Sequence, residues 1–319
     1  MESNVTNEKR IVVLGAGISG LSVAWRLQEL GFQTEICEAE DHIGGLAGTG
    51  RPDEGKYCLD FGPHFFITQK EEIVERITDL VADEVVSFER SAQLHVQDRF
   101  LDYPLSAKNV LLNFPPGDAI ASVATFLWAQ LMQGAQRTLG SDVHRPHFGE
   151  WAAANFGSHL AKVFFRPYTE GFWKLPCEQL SPEILPTSTR LNFMKSLRMM
   201  LLRKVSGQAQ SLTERELVLP LRYPTRGYGM IAEEIAERVL NMGGVIRRNA
   251  KVSEVQARAD GGYVVAANQN GQAVELETDY VVSTIPTPDL VDMMFPAAPA
   301  SVRQSAKKLG YLALIVLYA

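Results

Sequence analysis

The stretch from Ile11 to Leu46 constrains the fold of this 319-residue chain more than any other. Ile11 to Leu14 is a short apolar run typical of a buried strand, and Gly15 to Gly20, with the letters GAGISG, follows it directly. No helix can pass through so many glycines, so a turn must come next. Apolar residues then recur at helical spacing from Leu21 to Leu30, and Gln33 to Cys37 forms a second strand-like run. The predicted order is strand, turn, helix, strand.

Each glycine of this turn has a separate physical role. Gly15 permits the tight turn, Gly17 lets the backbone approach a pyrophosphate, and Gly20 lets the helix pack closely on the strand. The unpaired N–H groups at the helix N-terminus favour an anion. Glu38 follows the second strand about 20 residues beyond the glycines, where a carboxylate can accept hydrogen bonds from a ribose. The pattern predicts a dinucleotide site rather than a fortuitous Gly-rich turn.

The residues after Glu38 distinguish between classes of dinucleotide. The pair Gly44-Gly45 offers a second point where backbone can lie against an extended dinucleotide, although the pair would also suit an ordinary loop. The stretch that ends at Leu46 resembles the FAD-binding half of the flavoprotein group that includes amine oxidases, protoporphyrinogen oxidases and UDP-galactopyranose mutases. The resemblance implies FAD as the cofactor. It also implies an α/β fold, with a Rossmann-like FAD-binding domain and an inserted, mainly helical substrate domain.

The segment Asp60 to Ile67, with the letters DFGPHFFI, is similar to a D-x-G-G/P-H segment that passes close to the isoalloxazine ring in this group. Its glycine and aromatic residues suit a flat ring, which needs backbone nearby and apolar walls. The resemblance implies that Gly62, Pro63 and His64 contact the cofactor. His64 is also the candidate catalytic residue, and the alternative is a half-buried histidine bonded to backbone.

An aromatic-rich run, Phe164 to Cys177, lies in the helical middle of the chain. It resembles a substrate-domain signature of eukaryotic-type UDP-galactopyranose mutases and of flavin oxidoreductases near them. Its flat side chains, with the planar guanidinium of Arg166, suit a ring and a carboxylate or phosphate. Aromatic packing at a helix junction explains the same residues. The candidate substrate-binding residues are Arg166, Tyr168, Trp173, Arg190 and Arg226.

Two later segments return the chain to the cofactor in the resembled group. Tyr223 to Met230 is similar to a Y/F-P-x-x-G-x-G segment before a helix, and Tyr280 to Pro286 resembles a strand that passes the flavin pyrophosphate. Between them, Asn270-Gly271 predicts a hairpin turn. The cofactor contacts that the resemblance implies are Gly15, Ala16, Gly17, Ile18, Ser19, Gly20, Glu38, Ala39, Gly44, Gly45, Leu46, Gly62, Pro63, His64, Gly227, Val252 and Thr284.

Charge, cysteine spacing and the N-terminal residues restrict the binding partners and the compartment that we expect for this chain. The formal net charge of -6 argues against general nucleic-acid binding. The N-terminus has no apolar signal segment, and Cys37, Cys58 and Cys177 form no CxxC pair, which fits a reducing cytoplasm. His144 and His147 have no further ligands nearby in sequence, so we expect a surface loop there and no metal site.

Several apolar stretches bear on packing and on membranes. Residues 119–132 and 312–318 are too short to span a bilayer, and we expect a buried helix and a buried strand. Residues 190–204 alternate apolar and basic side chains, which suits either peripheral contact with an anionic bilayer or packing with a solvated basic face. We expect no transmembrane segment. Residues 86–104 are expected to form a pair of strands.

The expected domains are a FAD-binding domain of residues 1–90 and 218–285, and an incomplete substrate domain of residues 91–217 and 286–319. The chain ends within an apolar run from Tyr311 to Ala319, where members of the resembled group carry a further portion. A strand left uncovered there would expose a sheet edge. We therefore expect a fragment of a longer product, with completion by a partner chain as the alternative.

Three functions remain open. The first is a FAD-dependent oxidoreductase in which flavin N5 accepts a hydride from a small organic substrate, so that the cofactor performs the difficult step. The second is a redox-neutral enzyme similar to UDP-galactopyranose mutase, which acts on a sugar nucleotide with reduced FAD. The third is a non-catalytic FAD-binding fragment. The substrate, the electron acceptor and the oligomeric state are not identified by the sequence.

Overall fold

A computed structural model describes residues 9–62, 64, 70–82, 84–88, 93–96, 98–102, 112–138, 145–184 and 221–318. The chain divides into two compact units. The first comprises Met1–Phe88 and Leu221–Ala319, and the second comprises Glu89–Pro220.

The elements are named in chain order. The strands are β1 (Arg10–Leu14), β2 (Gln33–Cys37), β3 (Thr49–Gly50), β4 (Leu59–Asp60), β5 (Val85–Phe88), β6 (Gln93–Val96), β7 (Arg99–Asp102), β8 (Leu221–Pro224), β9 (Val245–Arg247), β10 (Ala250–Ala257), β11 (Tyr263–Gln269), β12 (Gln272–Thr278), β13 (Tyr280–Ser283) and β14 (Met294–Phe295). The helices are α1 (Ile18–Glu29), α2 (Glu71–Val81), α3 (Pro116–Thr138), α4 (Phe148–Phe156), α5 (Ser158–Leu160), α6 (Arg166–Trp173), α7 (Gly229–Asn241), α8 (Thr287–Met293) and α9 (Ala300–Ala306).

A parallel sheet with the strand order β13-β1-β2-β9 forms the centre of the first unit. Alternate residues of β1 face opposite sides. Ile11 and Val13 pack in a core with residues of α1 and α7, whereas Val12 and Leu14 pack with residues of β10, β11 and β12. Because β1 is buried on both faces, its sequence is a continuous apolar run rather than an alternating one. The α/β fold predicted from the sequence is therefore confirmed.

The helices on one side of this sheet are held by apolar burial. Leu21 and Ala24 of α1 and Val239 of α7 have no exposed surface, and Ile235 is 3% exposed. Full burial of a side chain the size of leucine or valine contributes about 1.5–3 kcal/mol. The strand, turn, helix, strand order predicted for residues 11–37 is confirmed within one residue at each strand end.

A second sheet in the first unit has the order β12-β11-β10-β14. β11 and β12 form a hairpin whose two turn residues, Asn270 and Gly271, have φ of 52° and 86°. Positive φ at both positions is what a two-residue turn needs to match the twist of its strands. The hairpin predicted from Asn270-Gly271 is confirmed.

A two-stranded antiparallel ribbon marks the point where the chain passes between units. β5 pairs with β8, and Phe88 lies opposite Leu221. These two residues are the last and first residues of the two segments of the first unit. The chain therefore leaves the first unit and returns to it on neighbouring strands.

Aromatic side chains form the core of the second unit. Phe148 and Phe156 are 0% and 1% exposed. The Phe156 ring stacks on Phe165 with centroids 4.3 Å apart and meets Trp151 edge-on at 5.5 Å. A short π-helical segment, Ala161–Phe165, leads from α5 into α6 and brings Phe165 to this core. The predicted helical character of this part of the chain is confirmed for its described residues.

Three expectations about burial and strands differ from the structure. Residues 119–132 lie in α3 but are not fully buried, because Ile120, Trp128 and Leu131 are each more than 60% exposed. Residues 311–318 form no strand, and most of their apolar side chains are exposed. Residues 85–102 form three short strands rather than two, because β5 pairs with β8 while β6 and β7 pair with each other.

Residues 286–318 group with the first unit, whereas the sequence analysis placed them with the helical domain. The reason is packing, since α8 contacts β10 and β14 pairs with β10.

We predict that Phe156→Ala destabilises the second unit by about 3–5 kcal/mol, because it leaves a cavity beneath the Phe165 ring. Phe172→Ala is the matched control, since Phe172 is 54% exposed. Its expected cost is about 1 kcal/mol or less. Urea unfolding followed by circular dichroism measures both. Equal losses for the two variants would contradict the assignment of this core.

Candidate functional site

The Gly-rich turn after β1 is formed by close backbone contacts. Gly15 has a φ of +96°, and its N–H donates to the carbonyl oxygen of Cys37 at 2.8 Å. A Cβ on Gly20 would overlap the carbonyl oxygen of Gly15 and lie 2.9 Å from Oγ1 of Thr284. Both positions therefore need glycine for the fold itself, as the sequence analysis predicted for the turn and for helix packing.

Gly17 lies in a different environment. Its φ is -67°, and among the described residues a Cβ placed there would meet only the carbonyl oxygen of Gly44, at 4.0 Å. It precedes α1, and no described side chain caps this helix. Ser19 is exposed, while Ile18 packs against the core. The first N–H groups of α1 thus have no side-chain cap among the described residues, which leaves them available to an anion.

Glu38 holds the turn together from the end of β2. Its Oε2 accepts a hydrogen bond from the N–H of Ala16 at 2.7 Å, and its Oε1 accepts one from the N–H of Glu40 at 3.0 Å. The N–H of Ala250 donates to the Glu38 carbonyl oxygen at 2.7 Å. Ala39 is exposed beside it. A carboxylate oxygen has more than one acceptor position, so these bonds leave capacity for a ligand hydroxyl.

The pair Gly44-Gly45 lies directly against the Gly-rich turn. The N–H of Gly44 donates to the carbonyl oxygen of Ala16 at 2.8 Å, and a Cβ on Gly45 would lie 3.3 Å from Cα of Gly17. Glycine at these two positions allows two backbone segments to touch. The sequence alone did not indicate this reason for the glycine pair. Leu46, which follows, is 85% exposed.

Two later residues that were predicted to contact the cofactor lie in different environments. The hydroxyl of Thr284, beyond the end of β13, donates to the carbonyl oxygen of Leu14 at 2.8 Å. Val252 lies in β10, and its side chain is 7% exposed within the core. The structure therefore brings Thr284 to the Gly-rich turn, while the Val252 side chain faces the core.

His64 lies beside Leu46 and Tyr228. Its Nε2 is 2.7 Å from the carbonyl oxygen of Leu46, and its ring stacks on Tyr228 with centroids 5.2 Å apart. Since a carbonyl can only accept, the Nε2 atom carries the hydrogen, and Nδ1 is the remaining acceptor when the ring is neutral. Gly62 is buried under the ring, where a Cβ would lie 3.1 Å from Nε2.

Sequence reasoning missed a buried hydrogen-bond network next to this histidine. Asp60 is 6% exposed, and its carboxylate accepts from the hydroxyls of Thr49 and Tyr223 at 2.5 Å each. It also accepts from the N–H of Tyr228 at 2.9 Å. Burial, together with the bond to Asp60, raises the pKa of Tyr223 well above its ordinary value. The only sequence signal was the position of Asp60 at the start of the D-x-G-P-H segment.

Arg226, predicted to bind substrate, is paired with carboxylates. Its Nε donates to Glu84 at 3.0 Å and its Nη2 to Glu234 at 3.1 Å. The adjacent Gly227 has a φ of +88°, and a Cβ there would lie 2.5 Å from Cγ2 of Thr49. Position 227 therefore requires glycine because a side chain there would overlap Thr49 on β3.

Arg166 of the second unit is also engaged. Its guanidinium donates two hydrogen bonds to Glu178, at 2.6 and 3.2 Å, and one to Glu170 at 3.0 Å. The Glu170 carboxylate also accepts from the N–H of Cys177 at 3.0 Å. This clamp fixes the 3-10 turn after α6. The neighbouring cavity, of about 150 Å³, is lined in part by Arg166 and Cys177 and is smaller than a drug-sized ligand needs.

The other aromatic candidates form a ladder along α6. Tyr168 stacks between Phe164 and Phe172, at centroid distances of 5.8 and 6.4 Å, and Trp173 meets Phe172 edge-on at 5.4 Å. Trp173 is partly buried against the core of the second unit. Core packing accounts for part of this run, which was the alternative interpretation of the sequence.

Neither the Cys37 thiol nor the Cys177 thiol is an activated nucleophile. Burial raises the pKa of the Cys37 and Cys177 thiols to about 11, so both are neutral near pH 7. Cys58 is partly exposed and, like the other two, is not in a disulfide.

Some sequence predictions fall on residues that are not described. Pro63, Arg190, His144 and the basic amphipathic stretch 190–204 lie outside the described ranges. Within those ranges, no group of three or more His, Cys, Asp and Glu side chains is arranged to hold a metal ion. In the same part of the chain, no helix combines the length and apolar character that crossing a membrane requires.

Known flavoproteins and their relatives resemble this chain in sequence and in fold. A probable UDP-galactopyranose mutase of Klebsiella pneumoniae is 26% identical over 184 residues, which are 56% of this chain and 44% of the relative. An L-amino acid oxidase of Cerastes cerastes is 40% identical over 58 residues, 18% of this chain and 11% of the relative. A crystal structure of reduced UDP-galactopyranose mutase superposes with a TM-score of 0.69 at 21% identity, over 95% of this chain and 62% of that chain.

This chain thus spans less than two thirds of the length of these proteins. The family model for flavin-containing amine oxidoreductases matches residues 18–319. The match covers nearly the whole chain, and the Gly-rich turn, the open helix N-terminus and Glu38 are the parts that such a cofactor site needs. The chain belongs to the flavin-containing amine oxidoreductase family.

Proposed function

We propose that this chain forms the FAD-binding part of a flavin-dependent oxidoreductase that acts on a small organic molecule. The single observation that carries the proposal is the environment of Gly17. A Cβ there would meet only the Gly44 carbonyl oxygen among the described residues, at 4.0 Å, beside the uncapped N-terminus of α1. At Gly15, Gly20 and Gly45 a Cβ would lie 3.3 Å or less from a neighbouring atom, which for Gly15 belongs to the Thr284 side chain. A diphosphate fits such a site because backbone N–H groups and the helix dipole both favour an anion.

Named residues would hold the remainder of the cofactor. Glu38 would accept hydrogen bonds from the ribose, since its carboxylate lies at the end of β2 beside the turn. The exposed Leu46 side chain and the His64 ring would offer an apolar edge and a flat face to the isoalloxazine. The FAD cofactor that the family implies is thus compatible with the residues present.

A bound flavin supplies hydride acceptance at N5, which is the chemistry that amine and amino acid oxidation needs. The chain's own contribution would be to bind and orient the reactants. His64 keeps its hydrogen on Nε2 against Leu46, so Nδ1 is the atom that would take up a proton from substrate. The family and the 40% identity to an L-amino acid oxidase segment support an oxidoreductase.

A second function is a redox-neutral mutase acting on a sugar nucleotide. It is supported by the 56% of the chain that aligns with the Klebsiella protein and by the TM-score of 0.69 to a reduced UDP-galactopyranose mutase. Such an enzyme needs cations for the substrate diphosphate. Arg166 and Arg226 are both bound to carboxylates, so either would first have to exchange these partners. Both of the predicted substrate arginines that the structure describes are thus already paired, and this supports the oxidoreductase.

We predict that Gly17→Ala and Gly20→Ala separate cofactor binding from folding. Gly17→Ala should change the free energy of unfolding by less than about 0.5 kcal/mol, as at an unstrained open position. It should weaken FAD binding about tenfold or more, because the new methyl group meets the pyrophosphate.

Gly20→Ala should instead destabilise the chain by about 1–3 kcal/mol even without FAD, through overpacking against Gly15. Titration with FAD, followed by flavin absorbance at roughly 300–550 nm, and urea unfolding of the apoprotein measure the two effects. FAD binding by Gly17→Ala at wild-type affinity would rule out the proposed pyrophosphate site.

We predict that Glu38→Gln weakens FAD binding about tenfold, because an amide NH₂ replaces one of the two acceptor oxygens that face N–H groups. Glu40→Gln removes the same charge two residues away from an exposed side chain, and it should bind FAD as wild type does. Equilibrium dialysis of both variants gives the comparison. Equal weakening of FAD binding in the two variants would indicate that binding depends on net charge rather than on the Glu38 carboxylate.

For the reaction class, we predict that an amine or amino acid bleaches the oxidised flavin of the FAD-loaded chain under anaerobic conditions. UDP-galactopyranose should leave the spectrum of the dithionite-reduced chain unchanged. Both are followed by absorbance over roughly 300–550 nm, where the bound flavin reports its own state. A shift with the sugar nucleotide and no bleaching by amines would favour the mutase instead.

A further inference from the structure

The N-terminus of α7 is capped by side chains from a different part of the chain. The N–H of Tyr228 donates to Oδ1 of Asp60 at 2.9 Å, and the N–H of Gly229 donates to Oγ1 of Thr49 at 2.7 Å. Thr49 and Asp60 face each other across the β3–β4 pair, and their side chains are joined by a 2.5 Å hydrogen bond. A helix start that normally takes its cap from its own sequence here takes it from a hairpin about 170–180 residues earlier.

The cap uses the single donor hydrogen of the threonine hydroxyl and one of its two acceptor lone pairs. Thr49 donates to Asp60 and accepts from Gly229 with the same oxygen. The Asp60 carboxylate receives three donors, from Thr49, Tyr223 and the Tyr228 backbone. A carboxylate that only accepts satisfies all three, and its negative charge at the start of a 13-residue helix is favourable.

Close packing leaves little freedom for this arrangement. A Cβ on Gly227 would lie 2.5 Å from Cγ2 of Thr49, and one on Gly229 would lie 2.7 Å from the Thr49 backbone nitrogen. The two glycines of the re-entry segment therefore allow the helix start to approach the hairpin. The contact continues to the candidate cofactor site, because the Tyr228 ring stacks on His64 and His64 donates to Leu46.

We propose that Thr49 and Asp60 are positioning residues of the flavin site, which fix Tyr228 and through it the imidazole of His64 against Leu46. The inference rests on the proposed function, since it concerns the placement of residues that would face the flavin. Neither residue needs to touch the cofactor. Loss of the cap would release Tyr228 and Gly229 and let the His64 ring leave its bond to Leu46.

The test uses the full chain with and without FAD. Thr49→Val keeps the shape of the side chain but removes both hydrogen bonds, and Thr49→Ser restores the hydroxyl. Thr34→Val is the matched control, because the buried Thr34 hydroxyl has no hydrogen-bond partner in the described structure. Three quantities are measured: amide exchange at Tyr228 and Gly229, the NMR signals of the His64 imidazole, and the dissociation constant for FAD.

We expect Thr49→Val to speed amide exchange and weaken FAD binding, each by about fivefold or more, as for loss of a helix cap. The His64 signals should shift towards those of a solvated imidazole. Thr49→Ser should return all three quantities to near wild type, and Thr34→Val should change none of them. A Thr49→Val chain with unaltered His64 signals and FAD affinity would overturn the inference.

Asp60→Asn keeps the inference testable should Thr49→Val not fold. The amide oxygen can still accept from Thr49 and Tyr228, while its NH₂ group can donate to the Tyr223 hydroxyl. The cap and the FAD affinity should both persist. Loss of FAD binding with an intact cap would mean that the carboxylate acts through its charge, which would also overturn the inference.

The two proposals fail in different ways. If wild type binds no FAD, the proposed function is wrong, while amide exchange and the His64 signals still report on the cap. If wild type binds FAD and the cap variants do as well, the positioning inference alone is wrong.

Discussion

Direct contact between backbone segments is the constraint on which the first unit depends. The Gly-rich turn lets α1 start immediately beside β1, since a side chain on Gly20 would overlap the carbonyl oxygen of Gly15. Gly44 and Gly45 then lie on the same turn. Side chains at these positions would push the strand, the helix and the following loop apart. Glu38 completes the arrangement by accepting from backbone on both sides.

Local patterns allowed much of this to be predicted. A strand followed by GAGISG and a helical period has few possible conformations. An acidic residue at the end of the next strand is then expected to lie beside the Gly-rich turn. The Asn270-Gly271 hairpin was equally local, because its two residues alone determine the turn. In these cases the residues that decide the structure are close together in sequence.

Other features depend on contacts between distant residues and could not be predicted. Thr49 and Gly229 are 180 positions apart, so nothing in either sequence context indicated their hydrogen bond. The hydrogen bond between Arg226 and Glu84, which are 142 positions apart, could not be predicted for the same reason. The apolar residues of α3 predicted the helix correctly but its burial wrongly. Composition does not indicate which face of a helix packs against another element.

The β5–β8 ribbon has a consequence for the length of the segment that it closes. Phe88 and Leu221 are held side by side by strand pairing, whatever chain lies between them. The entropy of closing that long loop grows only slowly with its length. The length of the segment between Phe88 and Leu221 therefore changes the cost of pairing β5 with β8 only slightly.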